Sequence, residues 1–125
     1  MRANILVVDD EAGPRESLRM ILNVDHEVRL AASGREALEM IQELPPDLVF
    51  LDIRMPKGNG IATLEVLKAN EGCPAVIMLT AFPYPQYREK CLRAGADYFF
   101  DKATEFDSVH EALEQLRARL VIADR

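Results

Sequence analysis

The chain is short of cysteine, of basic charge and of long apolar runs, and each shortage closes off a class of protein. Its two cysteines, Cys73 and Cys91, have no metal-ligand spacing and form no disulfide framework. Both read as reduced and mostly buried, because free cysteine behaves as a small hydrophobe. Lysine and arginine number 15 against 21 aspartates and glutamates, a formal net charge of −6. Nonspecific nucleic-acid binding needs a basic face, so no direct nucleic-acid contact is expected. No apolar stretch approaches the roughly 20 residues that span a bilayer. The opening run Ile5-Leu6-Val7-Val8 is too short for a secretory signal and stops at Asp9-Asp10. The expectation is a cytoplasmic protein with no membrane contact. Repeats, linkers and low-complexity segments are also missing.

What is there fits one domain over residues 1–125, large enough to bury a core without staples. Strand and helix patterns alternate. The apolar run at residues 5–8 suits a strand covered on both faces. Gly13-Pro14 opens a helix whose apolar face holds Leu18, Ile21 and Leu22. His26 to Ala31 forms a weaker strand. Ser33 and Glu36 make a capping-box pattern before a helix that Pro45-Pro46 ends. Leu48 to Leu51 is a third strand, followed by a turn-rich loop from Met55 to Gly60 and a helix with Ile61, Leu64 and Leu67 inside. Pro74 to Leu79 is the fourth strand. A fourth helix from about Gln86 to Ala94, its start disturbed by Pro83 and Pro85, stops at Gly95. Tyr98 to Phe100 is the fifth strand. Asp107 caps a last helix lined by Val109, Leu113, Leu116 and Leu120.

This alternation predicts a parallel sheet with helices on both faces, where ligands bind at the carboxyl ends of the strands. Those ends carry a specific set of residues. Strand one delivers Asp9 and Asp10, strand three Asp52, strand four Thr80 and the small Ala81, and strand five reaches Lys102. Each residue alone has an ordinary reading: a solvated turn, a cap, a surface charge. Together they form a cleft in which three carboxylates repel one another unless a divalent cation binds. Oxygen ligands with room for water suit Mg²⁺. Asp52 is then the nucleophile that can form an acyl phosphate. Thr80 can donate a hydrogen bond to the transferred group, the Ala81 backbone N–H another, and Lys102 supplies a positive pole.

At these residues the sequence resembles the response-regulator receiver family of two-component signalling, the CheY-like family. The matching stretches are ILVVDDE at Ile5 to Glu11, LDIRMP at Leu51 to Pro56, LTA at Leu79 to Ala81, AGAD at Ala94 to Asp97, and DK at Asp101-Lys102. The resemblance implies a flavodoxin-like (βα)5 three-layer sandwich with a five-stranded parallel sheet in the order 2-1-3-4-5. It implies that Asp52 is phosphorylated by a histidine kinase or a histidine phosphotransfer protein in a phosphorelay. It implies Mg²⁺ held by Asp10, Asp52 and the backbone carbonyl of Arg54, with Asp9 acting through water. Thr80 and Phe99 would move together on activation and alter the surface made by helix four, strand five and helix five. Such a chain is a phosphoacceptor, not an enzyme acting on a separate substrate, and is a monomer or a phosphorylation-dependent dimer with an unidentified downstream protein target.

Several positions depart from the family pattern. Ala103 follows Lys102 where a cis proline is frequent, and Phe99 lacks the hydroxyl of the frequent tyrosine. Gly58 replaces a common methionine and should loosen the loop after Asp52. Arg54 and Phe82 flank the phosphoryl site and should alter phosphoryl lifetime. Tyr84, Tyr87 and Phe99 with helix five form a candidate contact surface. RESLRMIL after VDDE looks like receivers joined to ATPase-type transcription activators, whereas FFDKATEF looks like stand-alone receivers. The reading leans to a stand-alone receiver, with a receiver excised from a longer transcriptional regulator as the alternative. A phosphorylation-independent interaction module is a second alternative. A phosphohydrolase would want an aspartate at Arg54, and a flavin carrier a Ser/Thr/Gly-rich loop where Asp9-Asp10-Glu11 stands.

Overall fold

The computed structural model describes residues 3–23, 26–55, 58–69, 73–81, 84–102, 105 and 107–123. Five strands, β1 (Asn4–Val8), β2 (Glu27–Ala31), β3 (Leu48–Leu51), β4 (Ala75–Thr80) and β5 (Tyr98–Asp101), alternate with helices α1 (Ala12–Leu22), α2 (Gly34–Glu43), α3 (Gly60–Lys68), α4 (Pro85–Arg93) and α5 (Ser108–Ala123). The strands pair in parallel, as the alternation predicts, in the order β2-β1-β3-β4-β5 that the family resemblance implies.

Alternate residues of each strand point to opposite faces, and an apolar cluster covers each face. Leu6, Val8, Val49, Leu51, Val76, Met78 and Phe99 pack with Ala37 of α2, Leu64 of α3 and Cys91 of α4. Ile5, Val7, Leu48, Phe50, Ile77 and Leu79 pack with Leu18 and Leu22 of α1 and with Val109, Leu113 and Leu116 of α5. Burial on two sides explains why the strands read as unbroken apolar runs.

The helix ends follow local chemistry. Ser33 caps α2, its hydroxyl accepting from the Glu36 N–H at 3.1 Å. The Glu36 carboxylate reaches back to the Ala32 N–H, one residue before the position a full capping box would use. At the other end of α2, Arg29 of β2 donates to the Leu44 carbonyl at 2.6 Å and the Met40 carbonyl at 3.4 Å. Helix α4 starts at Pro85, one residue earlier than expected. Proline at the first helical position lacks only an N–H that has no partner there anyway, so Pro85 begins the helix rather than disturbing it; Pro83 lies outside the described residues. Gly95, at φ +109°, closes α4: its N–H donates to Leu92 and the Ala96 N–H to Cys91. Asp97 then ties the strands below, its Oδ2 accepting from the Val76 N–H at 2.8 Å and from Lys68 Nζ at 3.2 Å. The AGAD stretch thus fixes the connection between α4 and β5.

Three local expectations need correction. The segment after Asp52 carries a short antiparallel ribbon, Arg54–Met55 against Gly58–Asn59, so Gly58 is held by pairing with Met55 rather than loosened. His26 precedes β2 and is buried, its Nδ1 accepting the Ala3 N–H at 3.2 Å. Cys91 is buried as expected, but Cys73 is only half-buried.

Candidate functional site

The parallel register brings the strand ends to one edge. Val8 pairs with Leu51, so Asp9 and Asp52 leave the sheet side by side. The ladder continues past the strands: the Asp52 N–H donates to Val8 O at 3.2 Å and the Lys102 N–H to Thr80 O at 2.8 Å. Asp9, Asp52 and Thr80 are all buried.

Lys102 bridges the acids, its Nζ donating to Asp9 Oδ2 at 2.5 Å and Asp52 Oδ2 at 3.1 Å. Asp9 is held at every oxygen. Its Oδ1 accepts the Glu11 N–H at 3.0 Å, and its backbone carbonyl accepts from Arg15 Nη1 at 2.8 Å. Asp52 differs: its Oδ1 is buried and accepts no hydrogen bond, the one such side-chain atom among the described residues. Carboxylate oxygens of Asp9, Asp10 and Asp52 lie within 4.8 Å of one another.

Burial pushes the Asp52 carboxyl above its ordinary value; Lys102 opposes that rise, Asp9 adds to it, and the Thr80 hydroxyl favours the charged form. Burial alone would lower Lys102, but its bond to Asp9 and the charges of Asp52 and Asp9 outweigh it and hold the ammonium above its ordinary value. Three clustered carboxylates facing one ammonium leave negative charge uncompensated, and the orphaned Asp52 oxygen marks where compensation is missing. A hard divalent cation with oxygen ligands fits that donor set. A pocket of about 200 Å³ opens beside it, lined by Asp9, Asp52 and Lys102 together with Pro14, Ser17 and Leu18 of α1.

Gly60 is a site residue that sequence reasoning missed. A Cβ there would lie 1.8 Å from the Asp52 carbonyl oxygen and 2.7 Å from its carbon. Its N–H donates to Ile53 O at 2.7 Å, so the start of α3 is pressed against the backbone that carries Asp52. The signal was a glycine directly before an apolar helix pattern, read only as part of a turn. Arg15, which holds the Asp9 carbonyl, was missed as well.

The remaining predicted residues take various positions. Ala81 follows Thr80 at the surface. Arg54 lies in the ribbon two residues beyond Asp52. Phe82 and Ala103 lie outside the described residues, and with them the expectations for a flanking aromatic and for the peptide after Lys102. Among the aromatics expected on a contact surface, Tyr84 is exposed, Tyr87 is half-buried against the core, and Phe99 is buried at 3% exposure. Phe99 therefore belongs to the core: its place in β5, opposite Met78, turns it inward.

Fold and cleft together define a doubly wound α/β domain with an acidic site at the carboxyl edge of its sheet. The chain belongs to the response regulator receiver domain family, which it matches over residues 5–114. It is 35% identical over 117 residues to the chemotaxis protein CheY of Halobacterium salinarum, covering 93% of this chain and 98% of that one. It is 37% identical over 122 residues to the transcriptional regulatory protein ZraR of Escherichia coli O157:H7, covering 97% of this chain but only 28% of ZraR. The response regulator TrrA of Thermotoga maritima, solved in complex with Mg²⁺–BeF, superposes with a TM-score of 0.81 at 35% identity, covering 93% of this chain and 99% of that one. Among the described residues no helix is long and apolar enough to cross a membrane.

Proposed function

We propose that this receiver domain is a phosphoaccepting switch in which Asp52 takes a phosphoryl group from a histidine kinase or histidine phosphotransfer protein. The observation that carries the reading is the buried Asp52 carboxylate, with one oxygen bound to Lys102 and the other bound to nothing. A carboxylate oxygen of Asp52 attacks phosphorus, the bond from phosphorus to the donor imidazole nitrogen breaks, and the imidazole leaves with that electron pair. The product is an acyl phosphate at Asp52; water later attacks phosphorus, releasing inorganic phosphate and restoring the carboxylate. The chain thus assists its own phosphorylation and dephosphorylation and is not an enzyme acting on a separate substrate.

Lys102 neutralises charge on the phosphoryl oxygens, and the Thr80 hydroxyl and Ala81 N–H donate to them. Asp10, Asp52 and the Arg54 carbonyl would hold Mg²⁺, with Asp9 acting through water. That division is supported by the full engagement of both Asp9 carboxylate oxygens. Mg²⁺, when bound, supplies positive charge to the carboxylates and to the incoming phosphoryl oxygens. TrrA, solved with Mg²⁺–BeF, supports the same chemistry in this chain. Thr80 and Phe99 would carry the change to the surface of α4, β5 and α5, where a partner protein would read it. A cytoplasmic location and a monomer, or a dimer formed on phosphorylation, belong to the same reading.

The test is incubation with Mg²⁺ and a small acyl phosphate, followed by intact mass. The expected result is the gain of one phosphate, absent in Asp52→Ala and absent under chelation. No gain in the parent chain overturns the reading.

A further inference from the structure

We propose that Arg88 of α4 is a positioning residue that straps the helix to β5 through Phe99 and so favours the arrangement in which Thr80 faces the phosphoacceptor. The inference rests on the reading of Asp52 given above. Phe99 has no hydroxyl with which to anchor its ring. Arg88 grips the residue from outside at two points. Its guanidinium carbon sits 5.8 Å from the ring centroid, within reach of cation–π attraction. Its Nη1 also donates to the Phe99 carbonyl oxygen at 3.4 Å. Arg88 itself is exposed, so packing does not demand an arginine there.

The position of the strap couples it to the site. The Arg88 N–H donates to the Tyr84 carbonyl, so Arg88 lies in the first turn of α4, the turn that follows the Thr80 end of β4. Along the β4–β5 ladder Phe99 pairs with Met78, and Thr80 pairs with Asp101. With Phe99 buried, Thr80 is also fully buried, two residues along the same strand from the Met78 that Phe99 pairs with. Buried Phe99 and buried Thr80 thus occur together, and the strap stabilises the pair. By linkage, loosening it must weaken whatever depends on that arrangement, including phosphoryl uptake.

The test uses the full chain with Arg88→Ala and Arg88→Lys. Two quantities are read: the Phe99 ring resonances by NMR without phosphodonor, and the initial rate of phosphate uptake from a small acyl phosphate with Mg²⁺. Arg88→Ala should move the ring resonances and slow uptake about two- to fivefold, the range expected from one exposed cation–π contact. Arg88→Lys keeps a cation above the ring without the planar fork and should fall between. In a Phe99→Leu background Arg88→Ala should have a smaller effect, because the ring contact is gone and only the bond to the carbonyl at position 99 remains. Unchanged Phe99 resonances in Arg88→Ala, or an equal loss of rate in the Phe99→Leu background, would overturn the proposal. If the parent chain takes up no phosphate, the phosphoacceptor reading fails on its own and the Phe99 resonances alone decide the role of Arg88.

Discussion

Lys102 and Asp52, 50 residues apart in the chain, meet at 3.1 Å, and the same ammonium also binds Asp9. One cation therefore holds together the ends of β1, β3 and β5. The side chains of Asp9, Asp52 and Lys102 are only 6%, 7% and 16% exposed, so solvent screens the cluster poorly.

Lys102→Met should accordingly cost stability as well as phosphoryl chemistry. It leaves two buried carboxylates without their partner, a loss of about 3 kcal/mol by analogy with other broken buried pairs. Urea unfolding at neutral pH without divalent ions measures it, and excess Mg²⁺ should restore part of the loss. An unchanged midpoint would show that the bridge contributes nothing to the fold.

The raised Asp52 carboxyl has a defined pH signature. The folded chain holds this proton more tightly than the unfolded chain, whose carboxyl has the ordinary value of 3.8. The contribution to stability is therefore highest below 3.8 and is lost as pH rises through the raised folded value. Asp52→Asn removes that loss. In chelator, the variant should gain on the parent from acid to neutral pH, and the difference should shrink again below pH 3.8. Mg²⁺ at 100 times its dissociation constant should stabilise the parent by about 2.7 kcal/mol and the Asn variant by less. Parallel stability curves for the two proteins would contradict the assignment.

Gly60→Ala should destabilise the chain by about 1–3 kcal/mol, the range for overpacking. Its new methyl group meets the backbone of Asp52, which cannot yield as a flexible side chain would. Because the displaced atoms carry the acceptor, Mg²⁺ affinity should fall alongside the unfolding midpoint. A variant with unchanged midpoint and Mg²⁺ binding would mean that α3 does not fix Asp52.

Arg29→Ala should lower stability by about 1–2 kcal/mol, because it strips charge-assisted bonds from the last carbonyls of α2. Amide exchange should quicken at the end of α2 and stay unchanged at Asp9 and Asp52. A uniform loss of protection would instead make Arg29 part of the global fold.

How much of this was legible in the sequence depended on whether a residue's role is local. The run at residues 5–8, the cap at Ser33 and the stop at Gly95 announce themselves by neighbours in the chain. The strand-end residues were legible one step further, since parallel strands must present their carboxyl ends together. Asymmetry between Asp9 and Asp52 was not, because it depends on which oxygen Lys102, Glu11 and Arg15 reach in space. Gly60 was missed for the same reason: its constraint is the backbone of Asp52, pressed against it by the fold. Pro85 was misjudged because a proline disturbs or begins a helix according to one residue of register. Phe99 was assigned to the surface, whereas the pleat of β5 turns it into the core.

The central claim is that Asp52, and no neighbouring carboxylate, carries the phosphoryl group. Chain phosphorylated with a small acyl phosphate and Mg²⁺ can be reduced with borohydride, which converts an aspartyl phosphate to homoserine, and then mapped by peptide mass spectrometry. The account predicts homoserine at position 52 alone. Homoserine at position 9 or 10, or at no position in a chain that has gained phosphate, would contradict it.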